Sequence, residues 1–581
     1  MCGLAGFVER KPRAPDARKA DLRAMGRQLA RRGPDEETLH DDGTLAFVFR
    51  RLAIIDVAHG AQPIWNEDRT LFVAVNGEIY NHEELRARLA PRHVFRTRSD
   101  SEVVLHLFEE LGERAFEELE GMFAVALWDA KRRVLTLARD RFGIKPLFYV
   151  DGPSGLLFGS ELKALLAHPE CPRMPRFADA APALLGDVRA REIGPTFVHG
   201  VRELPGGHVV SYDAGRLSLR RFYRLEDAFA DDDAPSRDAA SFVDAYAELF
   251  VDVVGRHLMS DVPVGLFLSG GLDSAMIAAA AARKTKDLRC FHALLETVFA
   301  SGDHDAARAV AAHAGFPLSP VLYDDGFADA IDVSLASFEY LVWMIDSPRF
   351  LLEAVVKHEL HRYAKTVCPG LKVMLVGQGS DEFSGGYSNV NERGASTWQD
   401  YLGSIARAGS DLPRAFDAAL DERRDPAADA RVDWWRRERV VRLGVLQQYN
   451  LWHEDRTSSG QGVEARVPFL DHRLVEMLAS VPPRLASELF LHKAIVRRAA
   501  GRLLPPAIAN RPKMGYLAAR RMDPIQRLEL RVVERTLPAF LEKYTGTSDA
   551  LFDADKLRAA HARARTGGRA GLDANHLLLA S

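Results

Sequence analysis

The pattern of apolar and polar positions divides the chain into two parts with different periodicity. From residue 2 to about residue 212 the apolar segments are short, and glycine-containing turns separate them, as in strand-rich layers. Four such segments cover residues 46–50, 71–75, 122–128 and 133–138. Two helix starts are expected between them, because Asn81 with Glu84 and Ser99 with Glu102 have the spacing of a capping box. The pattern predicts an α+β layered first domain.

The second part alternates strands with helices. An apolar strand at 262–268 precedes an alanine-rich, buried helix at 275–282, and further strands are expected at 288–294 and 371–376. This alternation predicts a parallel, doubly wound α/β sheet. After about residue 430 the chain is predicted to be mostly helical, and its glycine-containing tail at 565–581 is expected to fray.

A segment at 226–240 collects acidic residues, proline and alanine without periodicity, which is typical of a linker or a long surface loop. We therefore expect a first domain over residues 1–212, a connecting segment over 213–240 and a second domain over 241–581.

The composition restricts the class of protein. The chain of 581 residues is too long for one core, and its 47% hydrophobic and 27% charged residues are ordinary for a globular protein. A net charge of −4 removes the main attraction for nucleic acid and for anionic membranes, so we expect small-molecule partners. The four cysteines form no CxxC pair, and no signal sequence or long apolar run is present, which favours the cytoplasm.

Cys2 is a candidate nucleophile because it directly follows the initiator methionine. Removal of Met1 would leave a thiol and a free α-amine on one residue, and the ordinary pKa values of these groups are about 8.5 and about 7.7 to 8.0. The amine can then accept the proton of the thiol without a histidine. Taken alone, Cys2 is weak evidence for a nucleophile, because an ordinary small N-terminal residue is the more common explanation.

Several further segments accompany Cys2 in the first part. They are RRGPD (31–35), RRLAIID (50–56), VNGEIYNH (75–82), RSDSEV (98–103) and ARDRFGIKPLFY (138–149). Together they resemble the class II glutamine amidotransferase domain, whose nucleophile is N-terminal. The resemblance implies an Ntn-hydrolase sandwich of αββα architecture and a reaction in which Cys2 attacks the carboxamide of glutamine.

The same resemblance implies a role for each matching polar residue. The Asn76 side chain and the Gly77 backbone N–H would stabilise the negative charge that develops on the carboxamide oxygen. The guanidinium of Arg51 would bind the α-carboxylate of glutamine, and Asp100 and Glu78 would bind its α-ammonium group.

Each of these residues also has a purely structural interpretation. Asp100 would cap the helix that follows it, and Arg51 would form a surface ion pair. Asn-Gly is the strongest short hairpin signal, so Asn76 and Gly77 in isolation predict a type I′ turn. Only their joint occurrence with Cys2 favours the functional interpretation.

A second candidate site begins at a polar loop between a strand and a helix. The loop consists of Ser269, Gly270, Gly271, Leu272, Asp273 and Ser274. Its backbone N–H groups and the helix N-terminus would bind phosphate, although the loop lacks the GK[ST] ending of a Walker A motif. It resembles the pyrophosphate loop of ATP-pyrophosphatases, which cleave ATP between the α- and β-phosphates and adenylate a substrate.

Further segments extend this second resemblance. They are VGQGSDEFSGGY (376–387), VEARVPFLDH (463–472), HKAIVRR (492–498) and RPKMGY (511–516). With the loop, they resemble the synthetase domain of glutamine-hydrolysing asparagine synthetases. The resemblance implies that Asp273 and Asp381 bind Mg²⁺, that Lys493 stabilises charge at the adenylated carboxyl group and the pyrophosphate, and that Leu268 and Gly377 line the adenine-ribose pocket. Without this resemblance, Lys493 would be interpreted as a solvent-exposed lysine on a helix. The VPFLD segment is expected to pack in the core rather than to contact a ligand.

Three motifs depart from the family pattern, all in the second part. Gln378 stands where the family usually has a glutamate, and an amide can neither accept a proton nor bind a cation as strongly as a carboxylate. The usual D-E-P reads Asp346-Ser347-Pro348, and the usual S-M-A reads Ser458-Ser459-Gly460. We infer that ammonia supply is retained while the acceptor pocket is open to change.

The resemblance therefore implies a two-domain cytoplasmic amidotransferase that uses ATP and Mg²⁺. Cys2 would release ammonia from glutamine, the ammonia would pass inside the protein, and an acyl-AMP would capture it, with aspartate as the default acceptor and asparagine as the product. One alternative is an amide or lactam ligase that acts on another carboxylate, and another is a non-catalytic sensor of glutamine or nucleotide. No nucleic acid or membrane partner is expected, and a homodimer is compatible with the sequence.

Overall fold

The first half of the chain is a sandwich of two antiparallel sheets. The computed structural model describes residues 1–175, 194, 196–232, 237–294, 302–322, 332, 334–347, 352–388, 396–410, 434–512, 524–544 and 554–564. The strands of the first half are β1 (Gly3–Glu9), β2 (Glu36–Asp41), β3 (Leu45–Arg51), β4 (Ile64–Trp65), β5 (Leu71–Ile79), β6 (Gly121–Asp129), β7 (Val134–Arg139), β8 (Phe148–Gly152), β9 (Gly155–Gly159), β10 (Arg202–Glu203), β11 (His208–Asp213) and β12 (Arg216–Arg221). One sheet has the order β10-β8-β9-β1-β3-β2, and the other has the order β12-β11-β7-β6-β5-β4.

Helices cover the outer faces of both sheets. The helices of this half are α1 (Pro15–Gln28), α2 (His82–Leu89), α3 (Glu102–Leu111), α4 (Ala115–Glu118) and α5 (Leu162–Leu166). Helices α1 and α5 pack on the first sheet and α2 and α3 on the second, while residues such as Phe47, Phe72 and Trp128 fill the space between the sheets. Because both faces of the central strands are covered, β1 and most of β5 are buried throughout, which explains their continuous apolar runs. The predicted αββα sandwich is confirmed.

The second half contains a five-stranded parallel sheet. Its strands are β13 (Val264–Phe267), β14 (Arg289–Leu294), β15 (Leu318–Leu322), β16 (Val373–Leu375) and β17 (Glu464–Arg466), in the order β15-β14-β13-β16-β17. Leu266 of β13 faces Cys290 of β14 on one side and Leu375 of β16 on the other. The strand order reverses direction at β13, so the predicted doubly wound sheet is confirmed.

Most other described residues of the second half are helical. The helices are α6 (Ala239–His257), α7 (Leu272–Ala281), α8 (Asp303–Ala314), α9 (Leu335–Ile345), α10 (Leu352–Val367), α11 (Ser380–Ser384), α12 (Trp398–Ser410), α13 (Trp434–Val445), α14 (Leu451–Ser459), α15 (His472–Ala479), α16 (Pro483–Phe490), α17 (Ala494–Ala500), α18 (Pro506–Ala509), α19 (Pro524–Tyr544) and α20 (Ala554–Ala564). A π-helical segment over Leu446–Asn450 joins α13 to α14. Within the described part of the chain, no helix combines the length and the apolar character that a membrane span needs.

The two halves share one hydrophobic core. Leu52, Met122, Phe142 and Ile144 of the sandwich belong to the same cluster of buried side chains as the helix α7 and the strand β13 of the second half. This continuity brings the inner edge of the sandwich against the parallel sheet. Both candidate sites lie on elements that border this shared core.

The local motifs form only part of the structures that they predict in isolation. Asn76 and Gly77 form no hairpin turn but lie inside β5, where they pair with Ala124 and Phe123. The predicted helix start at Asn81 is confirmed, but its side chain bonds to the backbone of Glu118 and Glu120 instead of capping α2. Helix α3 begins two residues later than the predicted cap, after Ser101, because the Ser99 hydroxyl accepts from the Ser101 N–H.

The predicted loop at 226–240 is partly ordered by local caps. A short 3₁₀ turn covers Leu225–Ala228, and α6 begins directly after Asp238, whose carboxylate accepts a hydrogen bond from the Ser241 N–H. Residues 233–236 of this segment lie outside the described residues, as do the predicted fraying tail at 565–581 and residues 513–516 of the RPKMGY motif.

Candidate active sites in the two halves

Cys2 precedes β1 and lies where the sandwich meets the second half. Its thiol donates to the carbonyl of Leu52 over 3.7 Å, and its own carbonyl accepts a hydrogen bond of 2.6 Å from Arg32. Burial raises the pKa of this thiol. Met1 is present and only 1% exposed, and burial lowers the pKa of its α-amine to about 5. The nitrogen of Cys2 is here part of the peptide bond with Met1, so the predicted nucleophile-base pair requires removal of Met1.

Asn76 and Gly77 offer hydrogen-bonding groups on the buried strand β5. Asn76 is 0% exposed, and neither polar atom of its side chain has a hydrogen-bond partner among the described residues. Gly77 has φ +147°, and a Cβ atom there would lie 1.9 Å from the carbonyl oxygen of Met122, so no other residue fits this backbone. Because buried amides are normally paired, the Asn76 side chain is available to a polar ligand.

The three residues predicted to bind the charged ends of glutamine are all buried. The terminal nitrogens of Arg51 donate to Glu36 and to the carbonyls of Ile55, Asp56 and Val57. The guanidinium is thus fixed by the loop that follows β3 and by an ion pair with Glu36, although Arg51 itself is buried. Its role towards a carboxylate stays a prediction.

Glu78 and Asp100 lie at the end of β5. One oxygen of Asp100 accepts a 2.7 Å hydrogen bond from the Ile79 N–H, so it does not cap α3. One oxygen of Glu78 pairs with Arg466 over 3.0 Å, whereas the other has no hydrogen-bond partner in the described part of the chain. Burial raises the pKa of both carboxyl groups, and repulsion from Glu464 and Asp100 raises that of Glu78 further. Two buried carboxyl groups in proximity are suited to an ammonium ligand.

Buried ion pairs connect the first site to the second half. Arg32 donates to both oxygens of Asp455 on α14, at 2.6 and 2.9 Å, while it also holds the Cys2 carbonyl. Lys145 lies 3.5 Å from Glu464 of β17. Burial favours the neutral acid, but Lys145 and Arg466 prevail and lower the pKa of Glu464 to about 2. The backbone of the predicted nucleophile is therefore positioned by a contact that spans both halves.

The loop Ser269–Ser274 links β13 to α7 at the carboxyl end of the parallel sheet. The Ser274 hydroxyl accepts from the Ser269 N–H at 3.1 Å and lies 3.0 Å from the Ser269 hydroxyl, and the Ser269 hydroxyl accepts from the Gly271 N–H at 3.2 Å. Gly270 has φ +83°, and a Cβ atom there would lie 2.1 Å from the Asp303 carbonyl oxygen. Small residues and internal hydrogen bonds thus hold a compact loop at the point where the strand order reverses.

Lys493 joins the two acidic residues predicted to bind metal. Its ammonium group lies 2.6 Å from a carboxylate oxygen of Asp273 and 2.6 Å from one of Asp381. Lys493 is no solvated helix lysine, because it is 5% exposed and caps α17 with φ 65°. Although burial disfavours its charged form, Asp273 and Asp381 raise its pKa above the ordinary value. The two carboxylates converge on one point from two different strand ends, so their oxygen atoms fit a hard cation such as Mg²⁺.

Leu268, Gly377 and Gln378 follow the two central strands. Leu268 is fully buried and its carbonyl accepts a 2.7 Å hydrogen bond from His292. A Cβ atom on Gly377 would lie 3.3 Å from the Cβ atom of Asp273. Gln378 is half-buried in the same loop, between Gly377 and Asp381. Val467, Phe469 and Leu470 of the VPFLD segment are buried, as expected for packing.

The other two motifs that depart from the family pattern, at residues 346–348 and 458–460, lie at the interface between the halves. Asp346 ends α9, and its carboxylate accepts hydrogen bonds from the N–H groups of Leu162 and Lys163 in the sandwich. Ser347 follows it and is 9% exposed. Ser459 is buried at the end of α14 and donates to the Arg456 carbonyl. Pro348 lies outside the described residues.

Sequence reasoning missed the residues that join the sites. Arg32, Glu464 and Arg466 stand inside the motifs RRGPD and VEARVPFLDH, but the motifs alone give them no role. Asp455 lies in none of the motifs. The charged residues of VEARVPFLDH stand among apolar ones, which is a signal for a buried ion pair, but the partner becomes visible only in the folded chain.

The two halves match two family models. Residues 1–223 match the family described as glutamine amidotransferase domain, and residues 245–578 match the family described as asparagine synthase. Asparagine synthetase [glutamine-hydrolyzing] 2 of Bacillus subtilis (strain 168) is 35% identical over 95% of this chain and 76% of its own. Asparagine synthetase B [glutamine-hydrolyzing] of Escherichia coli (strain K12) is 30% identical over 88% of this chain and 81% of its own. A glutamine phosphoribosylpyrophosphate amidotransferase structure from B. subtilis matches 55% of this chain and 81% of its own at 14% identity, with a TM-score of only 0.29.

Proposed function

Because the chain belongs to the family of glutamine-hydrolysing asparagine synthetases, we propose that it is a carbon-nitrogen ligase that takes its nitrogen from glutamine. The first half releases ammonia, and strand β12 (Arg216–Arg221) extends it beyond the boundary at residue 212 that the sequence predicted. The second half, which we assign to residues 241–581, activates a carboxylate with ATP. Aspartate is the default acceptor and asparagine the default product.

In the first half, Cys2 attacks the carboxamide carbon of glutamine after Met1 has been removed. The α-amine of Cys2 accepts the thiol proton and returns it to the departing ammonia. The orphaned Asn76 amide and the Gly77 N–H donate to the developing oxyanion. Glu78 and Asp100 bind the α-ammonium group of glutamine, and Arg51 binds its α-carboxylate.

In the second half, the acceptor carboxylate attacks the α-phosphorus of ATP and pyrophosphate leaves. The Ser269–Ser274 loop and the N-terminus of α7 bind phosphate through backbone N–H groups, and Leu268 and Gly377 line the adenine-ribose pocket. Lys493 stabilises negative charge at the adenylated carboxyl group and on pyrophosphate. Asp273 and Asp381 would hold Mg²⁺, which neutralises the phosphate charge when it is bound.

The observation that carries the proposal is the position of Cys2 against the second half. Arg32 bonds to the Cys2 carbonyl and to Asp455, and no solvent-exposed segment separates these groups, since Arg32 and Asp455 are 2% and 5% exposed. Ammonia released at Cys2 therefore starts beside the domain that would use it. A buried route protects an acyl-AMP from water.

The test is a comparison of nitrogen sources in Cys2→Ala. With ATP, Mg²⁺ and aspartate, we expect the variant to form asparagine and AMP from ammonium salts but to release no glutamate from glutamine. Cys368→Ala, at a half-buried cysteine away from the site, should retain both reactions. Loss of both reactions in Cys2→Ala, or of neither, would contradict two separate sites.

Gln378 favours a second candidate, an amide or lactam ligase that acts on another carboxylate. The amide stands in the loop that carries Gly377 and Asp381, where it would face the acyl-adenylate. A screen of carboxylic acids for AMP release distinguishes the two functions. Asparagine formation by the native chain supports the default, whereas AMP release with another acid and none with aspartate supports the second. A protein that releases neither glutamate nor AMP, with Met1 confirmed absent, would instead be a sensor.

A further inference from the structure

A cluster of histidines and glutamates lies in the first half, apart from both candidate sites. Glu67 follows β4, His93 follows α2, and His106 and Glu109 belong to α3. One potential ligand atom from each of the four residues lies within 4.8 Å of the other three. The cluster thus joins three segments that are separate in the sequence.

One carboxylate oxygen forms the centre of this cluster. Oε2 of Glu109 lies 2.8 Å from Nδ1 of His106 and 3.4 Å from Nδ1 of His93. Its other oxygen is fixed by a 2.8 Å hydrogen bond from the Asn66 amide. In a tetrahedral site with bonds of about 2.0 to 2.1 Å, ligand atoms are about 3.3 Å apart. The observed separations, from 2.8 Å to at most 4.8 Å, lie on both sides of this value, so modest side-chain shifts would bring the four atoms to one ion.

The far nitrogen of each imidazole faces another carboxylate. Nε2 of His93 lies 3.0 Å from Glu110, and Nε2 of His106 lies 3.8 Å from Glu102. His106 is 1% exposed, and its Nε2 has no hydrogen-bond partner in the described part of the chain. Metal-ligating histidines characteristically bind metal with one nitrogen and donate to a carboxylate with the other.

We propose that Glu67, His93, His106 and Glu109 form a structural Zn²⁺ site. Two imidazoles and two carboxylates suit Zn²⁺ better than Mg²⁺ or Ca²⁺, which prefer oxygen ligands alone. The ion would link α3 to two other segments, which are the turn after β4 and the loop after α2. The two close imidazole rings, whose centroids are 4.7 Å apart, would then both bind the cation without like charges facing each other.

The site would also order the segment that carries Asp100. This residue lies two positions before α3, and the loop from His93 to α3 is fixed further by Glu102, which accepts hydrogen bonds from the N–H groups of Arg96 and Thr97. Zinc is thus a scaffold for this segment rather than a participant in chemistry. The inference does not depend on the proposed function, because it concerns metal binding alone.

The experiment measures Zn²⁺ binding to the full chain after chelator treatment, with excess Mg²⁺ present to occupy oxygen-only sites. We expect one equivalent of Zn²⁺ in the native chain and an affinity at least about 10-fold lower in His93→Ala. His59→Ala is the matched control, because this imidazole of the same half is 82% exposed. It should bind like the native chain, and Cys2→Ser should also retain the ion, which separates the site from the thiol.

A second measurement distinguishes loss of the metal site from misfolding of the variant. Zn²⁺ should raise the thermal midpoint of the native chain and of His59→Ala but not that of Glu67→Gln, whose side chain is exposed and tolerates substitution. Retention of native Zn²⁺ affinity in both His93→Ala and Glu67→Gln would overturn the proposal. So would a native chain that binds no Zn²⁺.

Discussion

Lys493 shows how one side chain can hold a site together before any ligand arrives. Its φ of 65° is uncommon for a residue with a side chain, and the backbone there directs the ammonium group between Asp273 and Asp381. The two carboxylates come from the ends of β13 and β16, so without Lys493 they would repel each other. In the proposed reaction, the same charge acts on ATP.

Replacing this lysine tests its role. In Lys493→Met we expect acyl-AMP formation to fall by at least about 100-fold, because the stabilising charge is lost. Pyrophosphate release measures this step, while glutamate release from glutamine should persist. Lys286→Ala removes an exposed lysine of the same half and should leave both reactions unchanged. Equal pyrophosphate release in the two variants would contradict the assignment.

At the scale of elements, the strands were predictable because their apolar runs are long enough to be buried on both faces. The segments at 46–50, 71–75 and 122–128 all lie within observed strands, and the alanine-rich helix appears as α7. Local motifs whose outcome depends on distant partners were not predictable. Asn76-Gly77 is a turn signal in isolation, but pairing with β6 over Leu71–Ile79 makes it part of a strand.

In the candidate sites, too, contiguous motifs were predictable from the sequence and long-range contacts were not. The loop Ser269–Ser274 could be placed from its strand-loop-helix pattern, since that motif is contiguous. The contacts of Lys493 with Asp273 and of Arg466 with Glu78 join residues 220 and nearly 400 positions apart. Periodicity carries no information on such pairs, so the sequence alone does not reveal them.

Gly460, where the family usually has alanine, ends helix α14 against α9. A Cβ atom at this position would lie 2.5 Å from the sulfur of Met344. We therefore expect Gly460→Ala to lower the free energy of unfolding by about 1 to 3 kcal/mol through overpacking. Denaturant titration measures this change. Gly370→Ala, where the nearest atom is 3.6 Å away, is the control and should have little effect.

A double variant separates packing from other causes. Gly460→Ala combined with Met344→Ala should be less destabilised than the sum of the single variants, because the added methyl group fills space that the methionine vacates. Strict additivity would show that the departure at Gly460 is unrelated to Met344.

At the scale of the whole molecule, buried ion pairs stabilise the interface between the two halves. In Arg32→Met we expect the free energy of unfolding to fall by up to about 3 kcal/mol, because Asp455 and Glu161 lose one buried cation but keep Arg456 and Lys163 nearby. Arg32→Met with Asp455→Leu should recover part of this loss. Denaturant unfolding measures both, and a double variant as unstable as the sum of the singles would contradict the pair.

Stability should also decline in mild acid. Burial lowers the pKa of His257 and of His358 from 6.5 to about 4. Between pH 6.5 and 4, these two imidazoles are therefore protonated in the unfolded chain but not in the folded one. Their contribution to the free energy of unfolding is undiminished above pH 6.5 and decreases as the pH falls towards 4. By pH 5 each imidazole costs about 2 kcal/mol. Thermal midpoints between pH 7.5 and 5 measure this, and His257→Gln should flatten the profile whereas His59→Ala should not.

Strand β17 is synthesised long after the sandwich, so the contacts that it makes with the sandwich form late. This strand is the last of its sheet, and its Glu464–Arg466 segment supplies the partner of Glu78. On a ribosome that adds about 5 to 20 residues per second, β12 emerges roughly 10 to 50 s before β17. During that interval Glu78 lacks the counterion that Arg466 supplies in the complete chain. The proposed glutamine pocket is therefore completed last, by the half that we propose to use the released ammonia.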